Sequence, residues 1–212
     1  MSASEPIGLD EAYSVRTPDD SRRLYAKWAS TYEQSFVEAH GYAYHEHVAR
    51  IFAAADRPVG PVLDVGCGTG VVGVALRRNG VGEIDGVDIS PEMLAEAARK
   101  DVYRELIVAD LTVGLEIASD TYAGVTSAGT FTHGHLGPDS LEELIRVSRS
   151  GARCAIGVNA AHFEDMGFAA WFERAVERGL IGEFQIERVA TYVTSDPAKL
   201  DDMANVVTFA VQ

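Results

Sequence analysis

Three aspartates, a run of glycines and a pair of histidines carry the chemistry legible in this chain. Asp64 is followed by Gly66, Gly68 and Gly70; Asp88 and Asp110 each close a later apolar run; His133 and His135 flank a glycine. Glycines at alternate positions let a ligand press against main chain, because no Cβ stands in the way, and they leave amides free where a helix begins. That is the seat of a nucleotide-like cofactor. Two adjacent carboxylate oxygens, as on Asp88, match the vicinal hydroxyls of a ribose. Asp110 can accept from an exocyclic amine while the Leu111 amide donates to a ring nitrogen. His133 and His135 have the type of a general base. Two histidines without a carboxylate or cysteine beside them are too few for a metal, so no metal is expected.

The choice of cofactor turns on the reading frame. Gly68-Thr69-Gly70-Val71-Val72-Gly73 matches GxGxxG, with Asp88 at the distance of a dinucleotide acid, so an NAD(P)-dependent oxidoreductase is one reading. The apolar run Val62 to Val65, however, makes Gly66 the first glycine of the turn, and it places Asp64 inside the strand end. A carboxylate there would repel a pyrophosphate and favour a ligand carrying an amine and a sulfonium.

The elements that must position these residues alternate. Val62–Val65 reads as a strand and Val71–Arg78 as a helix; strands end at Gly86–Asp88 and Leu106–Asp110, and Ser90 caps a helix with Pro91 at its first position. Further strands are expected at Tyr122–Ser127 and Arg153–Val158, a helix at Leu141–Val147 and another from Ala161 to Gly179. Two late strands, Phe184–Val193 and Asn205–Val211, have no crossover between them and form an antiparallel pair. The result is an α/β fold, a Rossmann-like doubly wound sheet of seven strands, mostly parallel with an antiparallel C-terminal hairpin. Residues 1–57 form an arm over Met1 to Asp20 and lid helices, and 58–212 the cofactor-binding core of one structural domain. Leu24, Trp28, Tyr32 and Phe36 predict one amphipathic helix from Ser21 to about Ala39, capped by Asp19 or Asp20. A second helix runs from Glu46 to Ala55 and stops at Asp56-Arg57-Pro58.

Leu63-Asp64-Val65-Gly66-Cys67-Gly68-Thr69-Gly70, followed in order by Asp88 and Asp110, closely resembles the motifs of the class I S-adenosylmethionine (SAM) dependent methyltransferases. The resemblance implies a glycine loop on the methionine part of SAM, an acid on the ribose and a residue beyond the third strand on the adenine. Tyr25 to Tyr32 resembles the lid segment of many small-molecule methyltransferases, and the segment Gly129 to Leu136 with the helix after it resembles the Williams-Beuren syndrome region methyltransferase-like proteins, a likeness spanning about Tyr25 to Val158. Ala123 replaces an aspartate of that family, and Arg149-Ser150-Gly151-Ala152 replaces its usual turn. The cofactor-facing set is then Tyr25, Trp28, Tyr32, Asp64, Gly66, Cys67, Gly68, Gly70, Asp88, Ile89, Met93, Ala109, Asp110, Leu111, Ser127 and Gly129. Tyr44, Thr130, Phe131, His133 and Asn159 are expected on the acceptor, with His133 and His135 as candidate catalytic groups.

Composition bounds the rest. The chain has 212 residues, 47% hydrophobic and 24% charged, enough for one well-buried domain. A net charge of −14 argues against nucleic acid and against an anionic membrane surface. Cys67 and Cys154 lack metal or disulfide spacing. No apolar run is long enough to span a membrane and the first thirty residues lack a signal pattern, so a cytoplasmic enzyme is expected. These features predict a SAM-dependent methyltransferase acting by in-line displacement on an O or N nucleophile of a small molecule. The alternatives are a SAM-binding sensor or pseudoenzyme and, less favoured by the loop, the oxidoreductase. Oligomeric state is left open.

Overall fold

The computed structural model describes residues 11, 15, 17–54, 59–133 and 135–212. The expected arm lies largely outside the described residues, as do Asp56-Arg57-Pro58 and Gly134. Short β-branched runs form β1 (Val62–Val65), β2 (Ile84–Asp88) and β3 (Glu105–Val108), followed by the longer β4 (Tyr122–Phe131), β5 (Ser148–Asn159), β6 (Gln185–Ala190) and β7 (Met203–Ala210). They form one sheet in the order β3-β2-β1-β4-β5-β7-β6. The first five pair in parallel, and β7 runs antiparallel to both β5 and β6. Strand order reverses between β1 and β4, and a crevice opens at the carboxyl ends of strands at such a point.

Apolar side chains cover both faces of the sheet. Leu63, Val65, Val125, Ile156, Phe168 and Phe172 fill one side, and Val48, Phe52, Val62, Leu76, Ile84 and Val206 the other. Each contributes about 1.5–3 kcal/mol by leaving water, so the strand ends are held rigidly.

The sequence-based expectations differ at three helices. The first, α1 (Pro18–Trp28), is capped by Thr17, whose hydroxyl accepts from the Asp20 amide at 3.2 Å, while Asp19 and Asp20 sit in the first turn. It does not run to Ala39 but breaks after Trp28 and resumes as a π-helix at Glu33–Glu38. The wider π turn brings Phe36 against Trp28 and Tyr192 in a third, aromatic cluster, and that packing outweighs the regular period of four. The second helix, α2 (Tyr44–Ala53), starts two residues before the expected Glu46. The helix expected over Ala161 to Gly179 is two helices, Ala160–Asp165 and Phe168–Glu177, because Gly167 takes a left-handed conformation between them. Beyond α3 (Val71–Arg78), α4 (Pro91–Ala98) begins as expected, with Ser90 Oγ accepting from the Met93 amide at 3.3 Å.

Candidate functional site

The turn after β1 is built by glycine. Gly66 and Gly68 have φ of +64° and +53°, where side chains are strained. A Cβ on Gly66 would collide with Thr130 Oγ1, whereas one on Gly68 would project into open space. That space is a cavity of about 340 Å³ at the carboxyl ends of the strands, within the usual range of a cofactor site.

Tyr25, Tyr32, Gly66, Cys67, Gly68, Asp88, Ile89, Met93, Ala109, Asp110, Leu111 and Gly129 line the cavity, with Thr130 and His135 beside them. Asp88 is the fixed point of its floor. Its Oδ2 accepts from the Gly68 amide and its Oδ1 from the Ser90 amide, both at 2.9 Å. Burial pushes its carboxyl above the usual range while these amides hold it down. Each oxygen keeps a second acceptor site for a ligand hydroxyl. Asp110 Oδ1 accepts from the Thr112 amide and hydroxyl, at 2.9 and 2.6 Å, so it also shapes its own turn. Burial raises the Cys67 thiol well above its ordinary range, which makes it an apolar wall.

Four expected cofactor contacts do not line this cavity. Asp64 is fully buried beneath the loop: its Oδ2 accepts from the Tyr103 hydroxyl at 2.7 Å, and burial moves its carboxyl up to about 7. The Tyr103 oxygen in turn accepts from the Gly73 amide at 3.2 Å. Asp64 therefore clamps the start of α3 to β1 instead of meeting an amine. Gly70 is the left-handed cap of α3, packed on Tyr103 and Ala97. The buried Ser127 donates to the Val65 carbonyl at 2.9 Å, across the strand pair. Trp28 is buried in the aromatic cluster, where its indole donates to Ser35 Oγ at 2.9 Å.

A second, smaller chamber of about 70 Å³ shares five wall residues with the cavity: Tyr25, Tyr32, Tyr42, Gly129 and His135. Tyr44, Phe131 and Asn159, expected on the acceptor, line it together with Trp28. A β-bulge between Ser127 and Phe131 turns Ala128 to Thr130 toward the cavity. His135 is oriented by backbone: Nδ1 lies 2.9 Å from the His133 carbonyl, which can only accept, so Nδ1 carries the proton. Nε2 then presents its lone pair, with the Tyr25 hydroxyl at 3.4 Å. Burial lowers the His135 pKa, so the neutral form prevails at neutral pH. The expectation for His133 is corrected. It lines neither the cavity nor the chamber but an open surface hollow, with its ring 5.6 Å from that of His162.

No sequence signal marks Tyr103, nor Thr17 and Ser21, which bring the first turn of α1 over the cavity. His45, at the head of α2, also lines it. Its Nδ1 and the Thr69 hydroxyl are buried without a partner among the described residues. A ligand with both donors and acceptors satisfies them, and SAM, with its amine, carboxylate and ribose, fits on that ground.

Comparison with known proteins agrees. Residues 62–151 match the family described as a methyltransferase domain. The chain is 30% identical over 145 residues to methyltransferase-like protein 27 of Homo sapiens, which covers 65% of this chain and 58% of that protein. It is 31% identical over 71 residues to the 18S rRNA (guanine(1575)-N(7))-methyltransferase of Saccharomyces cerevisiae, covering 34% of this chain and 26% of that one. It thus spans little more than half of the first relative and about a quarter of the second. In fold it resembles a chain from the complex between the Haloferax volcanii Trm112 methyltransferase activator and a methyltransferase, with TM-score 0.63, 22% identity, and 89% of this chain and 98% of that chain covered. These findings correct the expectation of a small-molecule partner with nucleic acid excluded. One relative is named for an rRNA acceptor and one neighbour is bound to a protein activator, so the charge of −14 does not decide the partner. No helix among the described residues is long and apolar enough to cross a membrane. The matched segment, the sheet order and the glycine loop over Asp88 make this chain similar to the class I SAM-dependent methyltransferases.

Proposed function

We propose that the protein transfers the methyl group of SAM to an O or N nucleophile on a small group seated in the aromatic chamber. The observation that carries this reading is the wall shared by cavity and chamber, in which His135, Gly129 and three tyrosines face both spaces. When bound, SAM supplies an electrophilic methyl on a sulfonium. Asp88 holds the ribose hydroxyls, the turn at Ala109 to Leu111 takes the adenine, and the Gly66–Gly68 backbone lies along the methionine part. Tyr25 and Tyr32, on residues 1–57, act as a lid that excludes water and aligns the acceptor. His135 Nε2 takes the proton of a hydroxyl or amine as it attacks. The chamber sets the size of the group that reaches the cofactor and leaves the carrier's size unset. Cytoplasmic placement goes with this reading, both cysteines being free and buried.

The test is release of S-adenosylhomocysteine from SAM in the presence of O and N nucleophiles, offered free and on rRNA or ribosomal protein. Acceptor-dependent release is the expected result. Tight SAM binding with release at the blank level for every acceptor would make the protein a binding module.

A further inference from the structure

Beyond the shared wall, the chamber is lined by polar groups that do not line the larger cavity. Tyr44, 3% exposed, lines it, and its buried hydroxyl has no hydrogen-bond partner among the described residues. Asp202 also lines it: its Oδ1 accepts from the Thr191 hydroxyl at 3.1 Å, and no hydrogen bond among the described residues engages Oδ2. Among the described residues no lysine or arginine lines the chamber, whose remaining walls include the rings of Trp28, Tyr42 and Tyr192. Lys199, 5.6 Å from the Tyr192 centroid, is held by His40 at 2.8 Å and lies outside the lining.

Asn159 and Asp202 also line the open surface hollow, together with Glu164, Asp201, Arg188 and His133. The hollow therefore meets the chamber at Asp202, and its carboxylates outnumber its guanidinium.

We propose that this end of the chamber is a subsite for a protonated amine on the methyl acceptor, held by Asp202 Oδ2 and the Tyr44 hydroxyl among aromatic faces. The proposal rests on the methyltransferase reading and names the substrate class of the same site. An ammonium has three donors and no acceptor, matching a free carboxylate oxygen and a phenol oxygen. Ring faces attract it further. A neutral alcohol supplies one donor, and a carboxylate is repelled by Asp202. With a volume of about 70 Å³ the chamber admits a head group of a few heavy atoms, so the amine enters on a narrow stem. The held ammonium has no lone pair and serves as an anchor, so the methylated nucleophile is a second O or N group of the same acceptor; the anchor's stem belongs either to a free alkylamine or to a lysine side chain.

The test uses the full chain saturated with S-adenosylhomocysteine and ligand-observed NMR titration with two matched pairs. Butylammonium is compared with 1-butanol, and Nα-acetyl-lysine methylamide with its norleucine analogue. In at least one pair the amine should bind roughly tenfold or more tightly, as one charge-assisted hydrogen bond implies. Asp202→Asn and Tyr44→Phe should each shrink that preference while leaving S-adenosylhomocysteine affinity unchanged. Which pair shows it identifies the carrier. Equal binding of both members in both pairs, or a preference that survives Asp202→Asn, overturns the proposal. Failure of S-adenosylhomocysteine to bind the wild-type chain would instead overturn the methyltransferase reading.

Discussion

Replacing Asp88 by alanine tests the cofactor floor. In the wild-type protein its two oxygens each accept one backbone amide at 2.9 Å, from Gly68 and Ser90, and each retains capacity for one ribose hydroxyl. A hydrogen bond to a charged group contributes about 1.5–3 kcal/mol. Losing two toward the ligand predicts a loss of about 3–6 kcal/mol. Water entering the gap, and the Gly68 amide freed to face the ligand, recover part of this, so the low end applies. S-adenosylhomocysteine should bind about 100-fold more weakly by isothermal titration calorimetry. The same substitution strips two amides of their acceptor, so the ligand-free protein should lose about 1–3 kcal/mol and melt several degrees lower. Measuring the melt first separates the two effects. A folded Asp88→Ala protein whose affinity stays within about threefold of wild type would refute the assignment.

Tyr103→Phe removes the donor to Asp64 and the acceptor of the Gly73 amide, and should lower stability by about 1–3 kcal/mol, read from urea unfolding; an unchanged midpoint would contradict the clamp. Because Asp64 titrates near 7 in the folded protein and at about 3.8 when exposed, its contribution to stability is full below pH 4 and is lost as pH rises to 7. That loss is of order 4 kcal/mol, and the slope of unfolding free energy over this window should flatten in Asp64→Asn. Gly68→Val would force a branched side chain at φ +53° and project it into the cavity, so cofactor binding should vanish while secondary structure by circular dichroism is retained. His135→Gln should slow turnover by about 100-fold at pH 7 with cofactor affinity nearly unchanged. In the wild type, the low pKa of His135 should keep the rate flat down to below the ordinary imidazole range.

The cofactor half was legible because its signals are local. A β-branched run, positive-φ glycines, and a Ser-Pro helix start lie within a few residues of what they determine, and β1, α3 and the Ser90 cap stand where the sequence put them. What escaped depends on distant contacts. The break after Trp28 is set by Phe36 and Tyr192, the latter arriving from beyond β6. Tyr103 reaches Asp64 across 39 residues from a segment without periodicity. His133 and His135 were indistinguishable as a pair; the turn, closed by the Thr132 carbonyl accepting from the His135 amide at 3.0 Å, sends one ring inward and the other out. Asp202 carried no motif, and only the antiparallel return through β7 brings its neighbours against the chamber.

Titrating the purified chain with S-adenosylhomocysteine and, separately, NADH decides which cofactor the site holds. The site described predicts micromolar binding of S-adenosylhomocysteine and none of NADH. Binding of NADH alone would contradict it and return the loop to a dinucleotide frame beginning at Gly68.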